Sequence, residues 1–127
     1  MFVISQAVSA RLPVTVQQFD TAGRLQQHQF PVDIKRLSQQ QWDALFAHHQ
    51  VTGENGQTVS ENLQANASLL AEAITGWDEV NDAQGLPVAY SASIMRELLL
   101  GPDGPALSRG LFDAIFSLRY GTAAQKN

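Results

Sequence analysis

The sequence predicts an α+β fold: an N-terminal antiparallel hairpin or small sheet, then about four helices with a short hairpin-like Gly-Trp loop among them. Three observations carry this. Apolar residues alternate with period two between residues 12 and 34. From Ser38 onward they recur at three- and four-residue spacing behind capping signals. Between the helical segments lies a turn-rich stretch, residues 81–85. At 127 residues the chain reads as one domain, 1–121, with 122–127 as a frayed tail.

The elements follow in order. Leu12, Val14 and Val16 alternate with Pro13, Thr15 and Gln17, the pattern of a half-buried strand. Asp20-Thr21-Ala22-Gly23 supplies the turn, since Asp bonds nearby backbone and Gly tolerates positive φ. Phe30, Val32 and Ile34 form the returning strand. Leu25 has the opposite parity, which implies a bulge or a loosely specified first half, and Pro31 implies an edge or irregular stretch. Residues 2–8 are a candidate third strand.

Ser38-Gln39-Gln40-Gln41 is a capping box, with Leu37 and Trp42 placed to form a hydrophobic staple. Trp42, Leu45, Phe46 and His49 share one helical face, and residues 53–56 close that helix in a loop. A second box, Thr58-Val59-Ser60-Glu61, precedes the stripe Leu63, Ala67, Leu70, Ala71 and Ile74, with Gly76 as a left-handed C-cap. Ser91 or Ser93 caps a helix bearing Ile94, Met95, Leu98 and Leu99. Gly104-Pro105 opens the last helix, where Pro at the first turn loses no bond. Its stripe is Leu107, Leu111, Ile115 and Leu118, widened by Phe112 and Phe116.

Composition excludes several functions. With 12 acidic and 8 basic residues the net charge is −4, and only Lys35 and Arg36 are adjacent cations, which argues against nucleic-acid binding. No apolar run approaches a membrane span, and residues 1–12, where Ser5 and Gln6 interrupt Phe2-Val3-Ile4 and no basic residue precedes them, are not expected to be a signal peptide. The absence of cysteine removes disulfides, thiolate metal sites and a cysteine nucleophile. The expectation is a soluble intracellular domain.

Chemistry-bearing patterns are equally sparse. His48 and His49 project about 100° apart on a helix and cannot chelate as an i, i+4 pair would; with His28 they read as surface histidines. Asp78, Glu79 and Asp82 fail a calcium-loop template, because Val80 and Ala83 stand where a ligand and Gly belong. No phosphate-binding Gly loop occurs. The sequence offers no enzyme, no metal site and no cofactor. Its surplus is apolar. Trp42 and Trp77 are anchors either of the core or of an interface. The last helix is either central and buried or docks a partner with part of its stripe.

Two stretches carry a family resemblance. Residues 30–41, FPVDIKRLSQQQ, run a strand ending in a basic residue into Leu-Ser and a Gln-rich helix start. Residues 74–91, ITGWDEVNDAQGLPVAYS, give Trp, an acidic pair, Val, an Asp-bearing turn, Gly, Leu-Pro, an apolar residue, an aromatic and a capping Ser. Together with the order of elements these resemble the phage tail assembly chaperones over residues 12–120. The departure is at Gln39 to Gln41, where the family more often has acidic residues.

The resemblance implies a non-catalytic protein of a long-tailed phage or prophage, acting in the cytoplasm of the bacterial host and absent from the mature virion. Its implied partners are the tape-measure protein, whose hydrophobic helices it keeps soluble, and the major tail protein, whose tail-tube subunits it helps recruit; self-association is a further expectation. On this reading the partner surface is Leu111, Phe112, Ile115 and Phe116, with Trp77 and Tyr90 bracing the neighbouring loop. The alternative is a structural minor tail or head-tail joining component.

Overall fold

A computed structural model describes residues 1–51 and 59–122. Strands β1 (Ser9–Phe19) and β2 (Leu25–Lys35) form the hairpin, and β3 (Ile74–Trp77) completes an antiparallel sheet of order β1-β2-β3. Helices α1 (Gln39–His48), α2 (Val59–Ala73), α3 (Ala92–Leu99) and α4 (Gly104–Tyr120) follow the chain. The architecture is α+β.

The hairpin register is uninterrupted from Ser9↔Lys35 to Phe19↔Leu25, so Leu25 sits on no bulge. Its opposite parity has another meaning: Val14, Val16, Val32 and Ile34 are buried, whereas Phe19 and Leu25 pair at the exposed tip. The turn is held by Asp20, whose carboxylate accepts from the Ala22 and Arg24 amides, both at 2.9 Å, while Gly23 takes φ +79°. Those amides and Gln26 hold the Asp20 carboxyl below its ordinary pKa.

At the two ends of the hairpin Val8 O accepts from Arg36 N and Asp20 N donates to Arg24 O. Antiparallel ladders alternate, so even-numbered residues of β1 bond β2 and odd-numbered ones turn their backbone groups outward. Pro13 and Pro31 face each other in the register, at an odd position. Neither removes a hairpin bond. Pro31 therefore stands in the central strand, not at an edge. It accepts from Asp78 N at 3.1 Å and can donate nothing back, and the β2–β3 pairing goes no further.

The third strand is not residues 2–8, which carry no strand and leave Phe2, Val3 and Ile4 exposed. It is the segment that continues the α2 stripe. Gly76 is no C-cap: α2 ends at Ala73, and Ile74 and Trp77 enter the core as strand residues beside Ile34 and Val32. Gly76 instead makes room, since a Cβ there would stand 2.8 Å from Asp33 Oδ2. That carboxylate receives Arg11 through two bonds, at 2.9 and 3.0 Å, which hold the Asp33 carboxyl below its ordinary value.

The capping box of α1 forms as expected: Gln41 N donates to Ser38 Oγ at 3.1 Å and Ser38 N to Gln41 Oε1 at 2.9 Å. Trp42 is buried and Leu37 packs on the same core. The residue 53–56 loop and the Thr58 cap lie outside the described residues. Ser91, not Ser93, caps α3 through Ile94 N, and Gly121 ends α4 at φ +64°. Residues 123–127 of the expected tail also lie outside the description.

His49 departs from the surface reading. Its ring nitrogen meets the Glu72 carboxylate, tying the end of α1 to α2. This hydrogen bond holds the Glu72 carboxyl below its ordinary pKa, against a smaller opposing effect of burial. A carboxyl depressed on folding stabilises the protein above its unfolded-state pKa, and that gain is lost as pH falls through the folded-state value. Glu72→Gln should therefore lower stability at pH 7 by about 0.5 kcal/mol, a size set by solvent screening. Urea midpoints of the two proteins should converge as pH is lowered from 7 through the folded-state value of the carboxyl; a gap of constant size throughout would exclude the linkage.

Candidate partner-binding groove

Among the described residues no three His, Cys, Asp or Glu side chains gather as metal ligands, and no helix is long and apolar enough to cross a membrane. Of Asp78, Glu79 and Asp82, the two aspartates hold turns, and Asp78 Oδ2 also accepts from Arg11 Nη1 at 3.5 Å. Asp82 Oδ1 accepts from the Gln84 and Leu86 amides and Asp78 Oδ1 from Glu79 N, while Val88 N bonds Val80 O to close a hairpin-like loop. The remaining feature with the shape of a site is apolar.

It is a groove of about 680 Å³ between the outer side of β1 and helix α4. Its floor exists because α4 lies almost on the strand: a Cβ on Gly110 would stand 2.4 Å from Thr15 O. That oxygen belongs to an odd-numbered residue, so the helix backbone rests against the free edge of β1. The walls are Pro13, Thr15, Gln17, Phe19 and Leu25 on the hairpin side and Arg109, Asp113, Phe116 and Ser117 on α4. Phe19 is 73% exposed, Leu25 56% and Phe116 56%. Tyr120, also exposed, extends the strip, its ring 4.7 Å from that of Phe116. Three large apolar side chains thus border one concave surface while remaining in water, the arrangement expected of a docking site.

The six residues selected from the sequence separate into three groups. Leu111 and Ile115 are 0% and 2% exposed, so they belong to the core and not to a partner surface. The cause is that α4 is covered from two sides, by β1 and by α2 and α3. Phe112 is half-buried against Phe46 of α1, with ring centroids 6.4 Å apart, and lies off the groove. Trp77 and Tyr90 hold the 78–90 loop to the core. Trp77 Nε1 donates to Val88 O at 2.8 Å, the rings meet edge to face at 5.0 Å, and Tyr90 OH donates to Ile74 O at 2.7 Å beyond the end of α2. Burial raises the pKa of that hydroxyl. Trp77 and Tyr90 therefore brace the loop and do not line the groove.

Of these six, Phe116 alone lines the concave surface. Phe19 and Leu25 were missed, although the signal existed: both are apolar residues out of phase with the buried set of their strands. No family model, curated protein or solved structure matches this chain.

Proposed function

We propose that this protein is a phage tail assembly chaperone, a non-catalytic protein that holds hydrophobic segments of the tape-measure protein and helps recruit tail-tube subunits. It works in the cytoplasm of the bacterial host. The observation that supports this reading best is the groove whose walls keep Phe19, Leu25 and Phe116 in water. An apolar helix laid between hairpin and α4 would cover all three, and the polar residues Gln17, Arg109 and Asp113 at the same walls would meet its solvated side.

Co-expression with the tape-measure protein of the same genome tests this. A Phe19→Ser, Phe116→Ser double variant removes two rings that are already exposed, so its melting temperature should stay near that of the unaltered protein. The solubilised partner should fall by roughly tenfold or more, because each lost ring forfeits about 1.5–3 kcal/mol of burial in the complex. Equal partner solubility with a folded double variant would overturn the assignment of the groove. An unaltered protein that leaves the tape-measure protein insoluble would overturn the function.

A further inference from the structure

The second concave feature is polar and lies on the other side of α4's last turn. It is a pocket of about 350 Å³ bordered by Ser5, Ala7, Arg36, Leu37, Trp42 and Arg119. Two arginines from distant parts of the chain therefore share one small concavity, and among the described residues no carboxylate lines it.

Neither arginine forms an ion pair among the described residues. Arg36 spends one nitrogen, Nη1, on Ser5 Oγ at 2.8 Å and Ala7 O at 3.0 Å. Arg119 donates from Nη2 to Gln39 Oε1 at 2.8 Å, and its guanidinium lies over the Trp42 ring at 5.6 Å. The nearest acidic group in this network, Asp43, accepts from the Gln39 amide and reaches Arg119 only through it. Arg119 Nε is buried without any acceptor. A buried donor left unpaired on a permanently charged group is costly, and two like charges in one concavity add to that cost. An acceptor carrying negative charge relieves both.

We infer that Arg36 and Arg119 form a binding site for a small phosphate dianion, either free phosphate or a phosphomonoester. A carboxylate would be satisfied by a single guanidinium fork, whereas two guanidiniums without a carboxylate partner offer two charges and the donors left over from their bonds to Ser5, Ala7 and Gln39. The Ser5 hydroxyl stands at the same wall and can contribute a further donor. This site is separate from the apolar groove and does not depend on the chaperone reading.

The test is an NMR titration of the intact protein, following arginine Nε–H resonances at constant ionic strength. Inorganic phosphate and phosphoserine are titrated separately, with acetate and chloride as monoanion controls. The Arg36 and Arg119 signals should move saturably with phosphate, and that of Arg109 in the groove should not. Tighter binding of phosphoserine than of phosphate would mark an ester as the ligand; equal affinity would mark free phosphate. Arg36→Gln should weaken binding by about tenfold or more, and Arg119→Gln should do the same if it folds despite losing the Trp42 contact. Because Arg36 is exposed, the first variant decides the matter where the second does not fold. Non-saturating shifts, equal response to acetate, or unchanged affinity in Arg36→Gln would each overturn the proposal.

Discussion

Trp77→Ala is expected to destabilise the protein by about 3–5 kcal/mol, the range for truncating a buried aromatic. Three losses combine. The indole leaves the core where β3 meets β2 at Val32, the edge-to-face contact with Tyr90 disappears, and Val88 O loses its 2.8 Å donor. The last loss localises the effect. Residues 78–90 are held to the body of the protein in part through Trp77 and Tyr90, so their amides should exchange faster than those of the hairpin. Trp77→Phe keeps most of the burial and loses the bond to Val88, and should cost about 1–2 kcal/mol. Urea unfolding measures the series. A Phe variant as unstable as the Ala variant would show that the hydrogen bond, not the apolar area, dominates.

Gly110→Ala should destabilise as well, against the expectation from helix propensity. In an open helix this change gains about 1 kcal/mol. Here the new Cβ would stand 2.4 Å from Thr15 O and 3.1 Å from Val14 Cγ1, and the nearer atom belongs to strand backbone that cannot rotate aside. Overpacking of this kind costs about 1–3 kcal/mol, occasionally more. We expect a net loss of about 2 kcal/mol, seen as a lower urea midpoint. The helix would lift from β1, so the groove between Phe19 and Phe116 should also change shape and capture its partner less well. A stabilised variant would mean that α4 does not rest on the strand edge.

Both substitutions probe places where local reading of the chain runs out. Gly110 sits in the middle of a helical stripe, and nothing within four residues of it announces a strand. Trp77 follows a stripe that continues through Ile74 in helical phase, so propensity and spacing extend α2 past its true end. The β2 edge overrides them. Asp33 and Pro31 present backbone groups there that need partners, and residues 74–78 supply them. Likewise the apolar width of α4 was visible in Leu111, Phe112, Ile115 and Phe116, but spacing cannot say which neighbours cover which side. Two sides proved to be core, and only Phe116 was left in the groove.

What the sequence determined by itself is what a few consecutive residues can settle. The Ser38–Gln41 box starts α1, Asp20 and Gly23 turn the hairpin, a serine at 91 or 93 caps α3, and alternation assigns Val14, Val16, Val32 and Ile34 to one buried face. Each rests on bonds or periodicities spanning a handful of positions. The tertiary structure decided the rest: β3 as a strand, the pairing of His49 with Glu72, the meeting of Arg36 with Arg119, and the groove built from Phe19, Leu25 and Phe116. These join residues from 23 to 97 positions apart. Which apolar side chain stays in water, and which charge finds no counter-ion, depends on what packs beside it, and no local pattern carries that information.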